Sequence, residues 1–336
     1  MTSDPVSRGS GSTLLVDWSD RGTLEVRGPD RLRWLDAILT CDVGRLGVGA
    51  GRYGLLLNRQ GKILTDVSVI AAADRALVAV ARGTAPALRE SLDRMLVMED
   101  AEILEVSGAY AWISAHGPRA AELVRAAAPR LSGAVAAEID WLGVGGGALV
   151  VPRGEVERAL EVLTGAGEGV VVARGGEYVR LRLEQAWPEF GVDYGPDDNP
   201  HQAALDHRAV CWTKGCYVGQ EVVCMTDQRG KVRRRVALVV FDGPEAPPVG
   251  AEVRLAEHAV DALVGAAEHG VQELVEVVLA QAKVEALAAV LPLDHQRQGE
   301  RDLGGVYELN PGHLHGEAYA VAAVGEERLV QGRARP

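Results

Sequence analysis

The chain has no run approaching the roughly 18 to 20 consecutive apolar residues that a bilayer-crossing helix requires. Its start, MTSDPVSRGSGST, has neither a basic n-region nor an apolar h-region. A cytoplasmic protein with no membrane partner is therefore expected. Cysteine is scarce: Cys41, Cys211, Cys216 and Cys224 are too few for a secreted-type disulfide framework, and reduced thiols are expected. The spacing Cys211-x4-Cys216-x7-Cys224 has no Cys-x2-Cys pair and no ferredoxin pattern, so no permanent metal site is expected. Basic residues are also short, with 35 Lys and Arg against 47 Asp and Glu and a formal net charge of -12. That balance argues against a general electrostatic grip on nucleic acid. No nucleotide loop is recognisable. Gly143-Val144-Gly145-Gly146-Gly147 does not lead into a helix and reads as a glycine-rich hairpin. The acidic stretch 193–199 lacks the Asp-x-Asp-x-Asp-Gly calcium pattern and reads as a stiffened turn.

What is present is a chain of 336 residues, 47% hydrophobic, long enough for two or three domains with full cores. Residues 1–13 read as a flexible tail. Strand runs at 14–17 and 23–27 flank the turn Ser19-Asp20-Arg21-Gly22, followed by a helix carrying Leu32, Leu35, Ile38 and Leu39 on one face. A hairpin over 53–57 and 62–70 turns at Asn58-Arg59-Gln60-Gly61. Strands at 77–80, 101–106, 110–114, 148–151 and 170–173 then alternate with helices at 85–95, after Pro118, and at 155–163. The series predicts an α+β fold, with one module over 14–110, a second over 111–240 and a divergent region over 241–336. In that last region Val260, Val264, Ala267, Val271, Leu274 and Val278 recur at helical spacing and predict an amphipathic helix over about 256–291. Weak strand signals follow it.

Three positions carry chemistry. Cys216 lies in Lys214-Gly215-Cys216-Tyr217-Val218-Gly219-Gln220-Glu221, flanked by a cation and two glycines. Such a setting favours a reactive thiolate and close approach of backbone to a ligand; the alternative is a small buried hydrophobe. Glu184 lies in the helix-like stretch Tyr178-Val179-Arg180-Leu181-Arg182-Leu183-Glu184-Gln185. One carboxylate can accept two parallel hydrogen bonds from an N–H beside an amino group, or it can simply pair with Arg180 at i,i+4. Asp66 interrupts an otherwise apolar strand, where a carboxylate must find a partner, a polar cavity or an outward face.

The order of an Arg-Leu-Glu helix, an acidic Pro-rich loop and Lys-Gly-Cys-Tyr-x-Gly-Gln-Glu resembles the YgfZ branch of the folate-binding T-protein (aminomethyltransferase) superfamily, over about residues 14–240. The resemblance implies ferredoxin-like α/β modules around a central cavity, with tetrahydrofolate as the ligand. It implies that Glu184 holds the pterin, that Asp66 lies near the reacting nitrogens, and that Tyr53 lines the cavity. Lys214 and Tyr217 come to the ligand with the motif, and Arg208 is the nearest candidate for the folate carboxylates. Two departures bear on the branch: the Val-x-Asn-Ala expected beyond Asp66 is replaced by Leu77-Val78-Ala79-Val80-Ala81-Arg82, and the small β-barrel expected from about residue 247 does not show in the pattern. The first reading of function is folate-linked assistance to iron–sulfur cluster assembly or repair through Cys216, and thereby to tRNA modification. Cluster-assembly proteins or client enzymes would be the partners, and the protein a monomer. The alternative is an aminomethyltransferase using Asp66; a third is a non-catalytic scaffold using the helix after Val260. The basic run Arg229 to Arg235 lacks interleaved aromatics, and direct nucleic-acid binding is not expected from it.

Overall fold

The computed structural model describes residues 12–174, 176–229, 232, 234–241, 309–312 and 318–325. They fall into two compact units: the described residues up to 178, with 195–200 and 205–223, belong to the first, and 179–194, 201–204 and the described residues from 224 onward to the second.

The first unit holds two five-stranded sheets. One contains β2 (Gly22–Arg27), β3 (Gly51–Leu57), β4 (Ile63–Ala71), β5 (Arg75–Val80) and β6 (Glu102–Glu105), in the order β3-β4-β5-β2-β6 and all antiparallel. The other contains β1 (Thr13–Asp17), β7 (Tyr110–His116), β8 (Val135–Glu138), β9 (Gly146–Pro152) and β10 (Val170–Val172), in the order β10-β1-β7-β9-β8. Only the β1–β10 pair is parallel. The strands flanking Ser19 to Gly22 are therefore no hairpin, because β1 pairs with β7 while β2 pairs with β5 and β6. The turn is the point where the chain leaves one sheet for the other. The hairpin read at Asn58 to Gly61 does form, with Asn58 Oδ1 accepting from the Gln60 and Lys62 N–H groups. The glycine-rich stretch joins the antiparallel strands β8 and β9, and Asp140 ties its loop through the N–H groups of Gly143 and Gly145.

Each sheet has an apolar helix-covered face. Trp34, Leu35 and Ile38 of α1 (Arg31–Ile38), with Leu88 and Leu92 of α2 (Ala85–Asp93), pack on Leu24, Val26, Val67, Val69, Val78 and Val80. Val124 of α3 (Ala120–Ala127) and Ala159 and Leu163 of α4 (Val156–Thr164) pack on Leu15, Ile113, Leu149 and Val151. Each such aliphatic side chain contributes about 1.5–3 kcal/mol when fully buried. The alternate residues face the other sheet, since side chains along a strand point to opposite faces. Trp112 Nε1 donates to Thr23 Oγ1 at 3.0 Å and Trp141 Nε1 to Ser68 Oγ at 2.9 Å, so the inner faces meet through hydrogen bonds as well as apolar contact.

The second unit contains most of α5 (Glu177–Glu184), the end of α6 (Gln220–Arg229) and a three-stranded antiparallel sheet. In that sheet β13 (Ala318–Gly325) lies between β11 (Arg234–Phe241) and β12 (Leu309–Gly312). The helix read over 256–291 lies outside the described residues. No helix among the described residues is long and apolar enough to cross a membrane.

Candidate functional site

Asp66 does not face solvent. All of β4 except Leu64 is buried, and Asp66 is 6% exposed on the face turned to the second sheet. Its partner is Arg21 of the turn between the sheets, with Nη2 donating to Asp66 Oδ1 at 2.6 Å. Burial works against the Arg21 charge, but the adjoining carboxylate outweighs it and holds the guanidinium's pKa above its ordinary value. The Arg21 bond engages Oδ1 and leaves Oδ2 outside the pair.

Around this pair the first unit gathers aromatic rings. The Arg21 guanidinium lies 5.3 Å from the Trp18 ring centre, within cation–π range. Trp18 meets Trp141 edge-on at 4.9 Å and Tyr178 at 5.8 Å, and His116 lies 5.6 Å from both Trp141 and Tyr178. Tyr53, buried on β3, pairs across the ladder with Ser68, two residues along from Asp66 on the same face. His116 is 1% exposed, with Nε2 3.0 Å from Ser114 Oγ and Nδ1 without a hydrogen bond. Burial pushes its pKa down to about 4, against a weak opposing pull from Asp140, and keeps the ring neutral at ordinary pH. Flat rings, a carboxylate oxygen and a neutral imidazole nitrogen together suit a planar heterocycle with N–H donors. Arg21, Trp18, His116, Trp141, Tyr178 and Ser68 are not singled out by the sequence. Arg21 and Asp66 are 45 residues apart, and no local pattern shows that this turn meets that strand.

The octapeptide is bolted to the same unit. Lys214 Nζ donates to Asp36 Oδ1 at 2.9 Å and to the carbonyls of Asp36, Leu39 and Cys41 at 2.6, 3.0 and 2.8 Å, with its side chain only 2% exposed. These are carbonyls at and just past the C-terminal end of α1, where a cation is favoured. Although burial alone would raise the Asp36 pKa, Lys214 and the N–H groups of Val43 and Gly44 hold it below the usual carboxylate value. Tyr217 is buried, its ring centre 5.8 Å from the ammonium. Gly219 has φ +82°, and a Cβ there would lie 2.5 Å from the Asn58 carbonyl oxygen. Its bareness thus serves the close approach of the residues just before α6 to the β3–β4 turn, whereas the space at Gly215 is open. Between these anchors Cys216 stands exposed as a free thiol.

The remaining sequence candidates, Glu184 and Arg208, belong to different units. In the second unit Glu184 accepts from Arg180 Nε at 2.8 Å, so the i,i+4 pair is formed, with Oε2 outside it. On the same helix Arg182 is buried against Asp193 at 2.7 Å and Glu189 at 2.9 Å, and this folds the acidic turn back onto α5. Burial outweighs Arg182 in keeping the Asp193 pKa raised. Arg208 is an exposed residue of the first unit, its N–H bonded to the Leu205 carbonyl. No group of three or more His, Cys, Asp or Glu among the described residues is arranged to hold a metal ion.

An aminomethyltransferase from Streptomyces coelicolor is 26% identical over 260 residues, covering 71% of this chain and 70% of the relative. Another, from Chlorobium luteolum, is 28% identical over 265 residues, covering 73% and 72%. The crystal structure of glycine cleavage system aminomethyltransferase T from Bartonella henselae superposes with a TM-score of 0.65 at 19% identity, over 94% of this chain and 79% of that one. The α+β architecture is therefore similar to the T-protein fold. The sequence model of the GCVT N-terminal domain matches residues 10–214, more than half of the chain. On that match the chain belongs to the GCVT N-terminal domain family, the T-protein superfamily.

Proposed function

We propose that the chain binds a reduced folate at the aromatic cluster around Asp66 and supports aminomethyl-type one-carbon transfer to tetrahydrofolate. The observation that carries this is the buried Asp66 carboxylate, with Oδ1 held by Arg21 and Oδ2 outside that pair, in a unit that gathers edge-on aromatic rings around Arg21. A carboxylate so placed can accept a pterin N–H, or take a proton from a reacting nitrogen within hydrogen-bond reach. Rings at the Trp18 and Tyr178 positions offer faces for a pterin, and the His116 Nδ1 offers a further polar contact. Tyr53 and Arg208 are proposed to add wall and carboxylate contacts. The names of the relatives favour this chemistry. Titration with tetrahydrofolate should quench the fluorescence of Trp18 and Trp141, and Asp66→Asn should cut methylene-tetrahydrofolate formation from an aminomethyl carrier by about 10²-fold or more. If neither binding nor turnover is found, the proposal fails.

A second reading rests on a different observation: Lys214, Tyr217 and Gly219 anchor a loop that presents Cys216 as an exposed thiol. In the YgfZ branch that thiol would serve iron–sulfur cluster maintenance, with cluster-assembly proteins or client enzymes as partners. Cells carrying Cys216→Ser should then lose cluster-enzyme activity while retaining folded, folate-binding protein. Unchanged cluster enzymes would remove this reading and leave the first intact.

A further inference from the structure

A separate cavity of about 540 Å³ opens in the first unit where the β1–β2 turn, the β5–α2 connection and the β6–β7 turn meet, with Asp20, Arg21, Arg82, Glu105, Ser107 and Arg153 on its walls. Its charges are unequally committed. Arg21 is spent on Asp66. Arg82 and Asp20 approach to 3.7 Å, but their side chains are 81% and 57% exposed, so water and salt screen the pair.

Arg153 and Glu105 are exposed too, but neither is spent on an opposite charge. Arg153 donates through Nε and Nη2 to the Ser107 carbonyl at 3.2 and 2.6 Å, and through Nη2 to the Ser19 and Tyr110 carbonyls at 2.9 and 3.1 Å. The guanidinium is held by neutral oxygens, has no carboxylate within ion-pair distance among the described residues, and leaves Nη1 unused. Glu105 accepts the Ser107 N–H on Oε1 at 3.0 Å and leaves Oε2 unused. One residue, Ser107, thus fixes a cation through its carbonyl and an anion through its N–H, yet the two charges do not pair with each other.

We propose that this cavity binds a small zwitterion of the amino-acid type, its carboxylate on Arg153 and its ammonium on Glu105. A simple anion would gain Arg153 but meet Glu105, and a simple cation would meet the reverse; a ligand carrying both charges satisfies both walls. Pro86, also on the wall and exposed, gives an apolar surface for a short aliphatic side chain. Nothing in this proposal depends on folate.

Calorimetric titration of the full chain with L-alanine, L-valine and L-leucine tests it, with the N-acetyl and methyl-ester forms of each as probes bearing one charge. At least one free amino acid should bind ten-fold or more tightly than both of its blocked forms. Glu105→Gln keeps an oxygen for the Ser107 N–H and should abolish the preference for the free over the N-acetyl form, with the melting temperature unchanged. Equal binding of the N-acetyl form to the unaltered chain would make this a plain anion site and overturn the proposal, as would no binding by any of the free amino acids.

Discussion

At the scale of single residues, the described structure holds both a strained position and a titrating one. Ala186 has φ +47°. Its N–H bonds the Leu183 carbonyl and that of Trp187 bonds Arg182, a Schellman ending to α5 in which glycine normally occupies this position. Ala186→Gly should therefore raise stability by about 1 kcal/mol, read as a higher denaturation midpoint, since the left-handed conformation costs a Cβ-bearing residue about that much. His116 works in the other direction. Its folded pKa of about 4 lies below the ordinary value of 6.5, so below pH 6.5 the unfolded chain takes up a proton that the folded chain refuses. The stability is whole above pH 6.5, falls as pH drops through that window, and is lost below about 4, by up to about 3 kcal/mol. Urea midpoints measured between pH 7.5 and 4.5 should show this slope in the parent chain and a flatter one in His116→Gln.

At the scale of elements, the octapeptide shows how a motif can be legible while its internal division of labour is not. The spacing of lysine, cysteine and glycines stands out in the sequence, but there Lys214 reads as a flank that activates the thiol. In the fold its ammonium caps α1, a helix about 175 residues earlier in the chain, and this places it among the anchors. Gly215 and Gly219 look alike in the motif, yet only one is sterically closed. Gly219→Ala should cost at least about 1–3 kcal/mol, through overpacking against the Asn58 carbonyl and the positive φ. Gly215→Ala should stay within about 1 kcal/mol of the parent. Equal melting temperatures for the two variants would contradict this division. Lys214→Met should be worse than either glycine change, because it strands Asp36 and three carbonyls; removing one partner of a largely buried ion pair costs about 3–5 kcal/mol. Helices α1 to α5 and most strands were readable because their apolar spacing is local, as at Leu35 and Ile38 or Val67 and Val69, whereas α6 was not read as a helix. β8 was missed, as its Val-Ala-Ala-Glu run carries almost no strand signal of its own.

At the scale of the whole molecule, the first unit depends on two sheets meeting through buried polar contacts. Thr23→Val keeps the side-chain volume but leaves the indole N–H of fully buried Trp112 without its acceptor. It should cost about 1–3 kcal/mol, measured by denaturation. A change in tryptophan emission should accompany it. The sequence by itself determined the α+β class, the positions of the hairpin, of helices α1 to α5 and of the octapeptide, and the presence of a carboxylate that needed a partner on β4, because all of these rest on periodicities and turn chemistry spanning a few residues. Only the tertiary structure decided that β1 and β2 part into different sheets, that Arg21 is the partner Asp66 required, and that Trp18, His116, Trp141 and Tyr178 converge beside them. Strand pairing and ring stacking are set by which distant segments can bury their faces together, and that choice leaves no mark within any one segment.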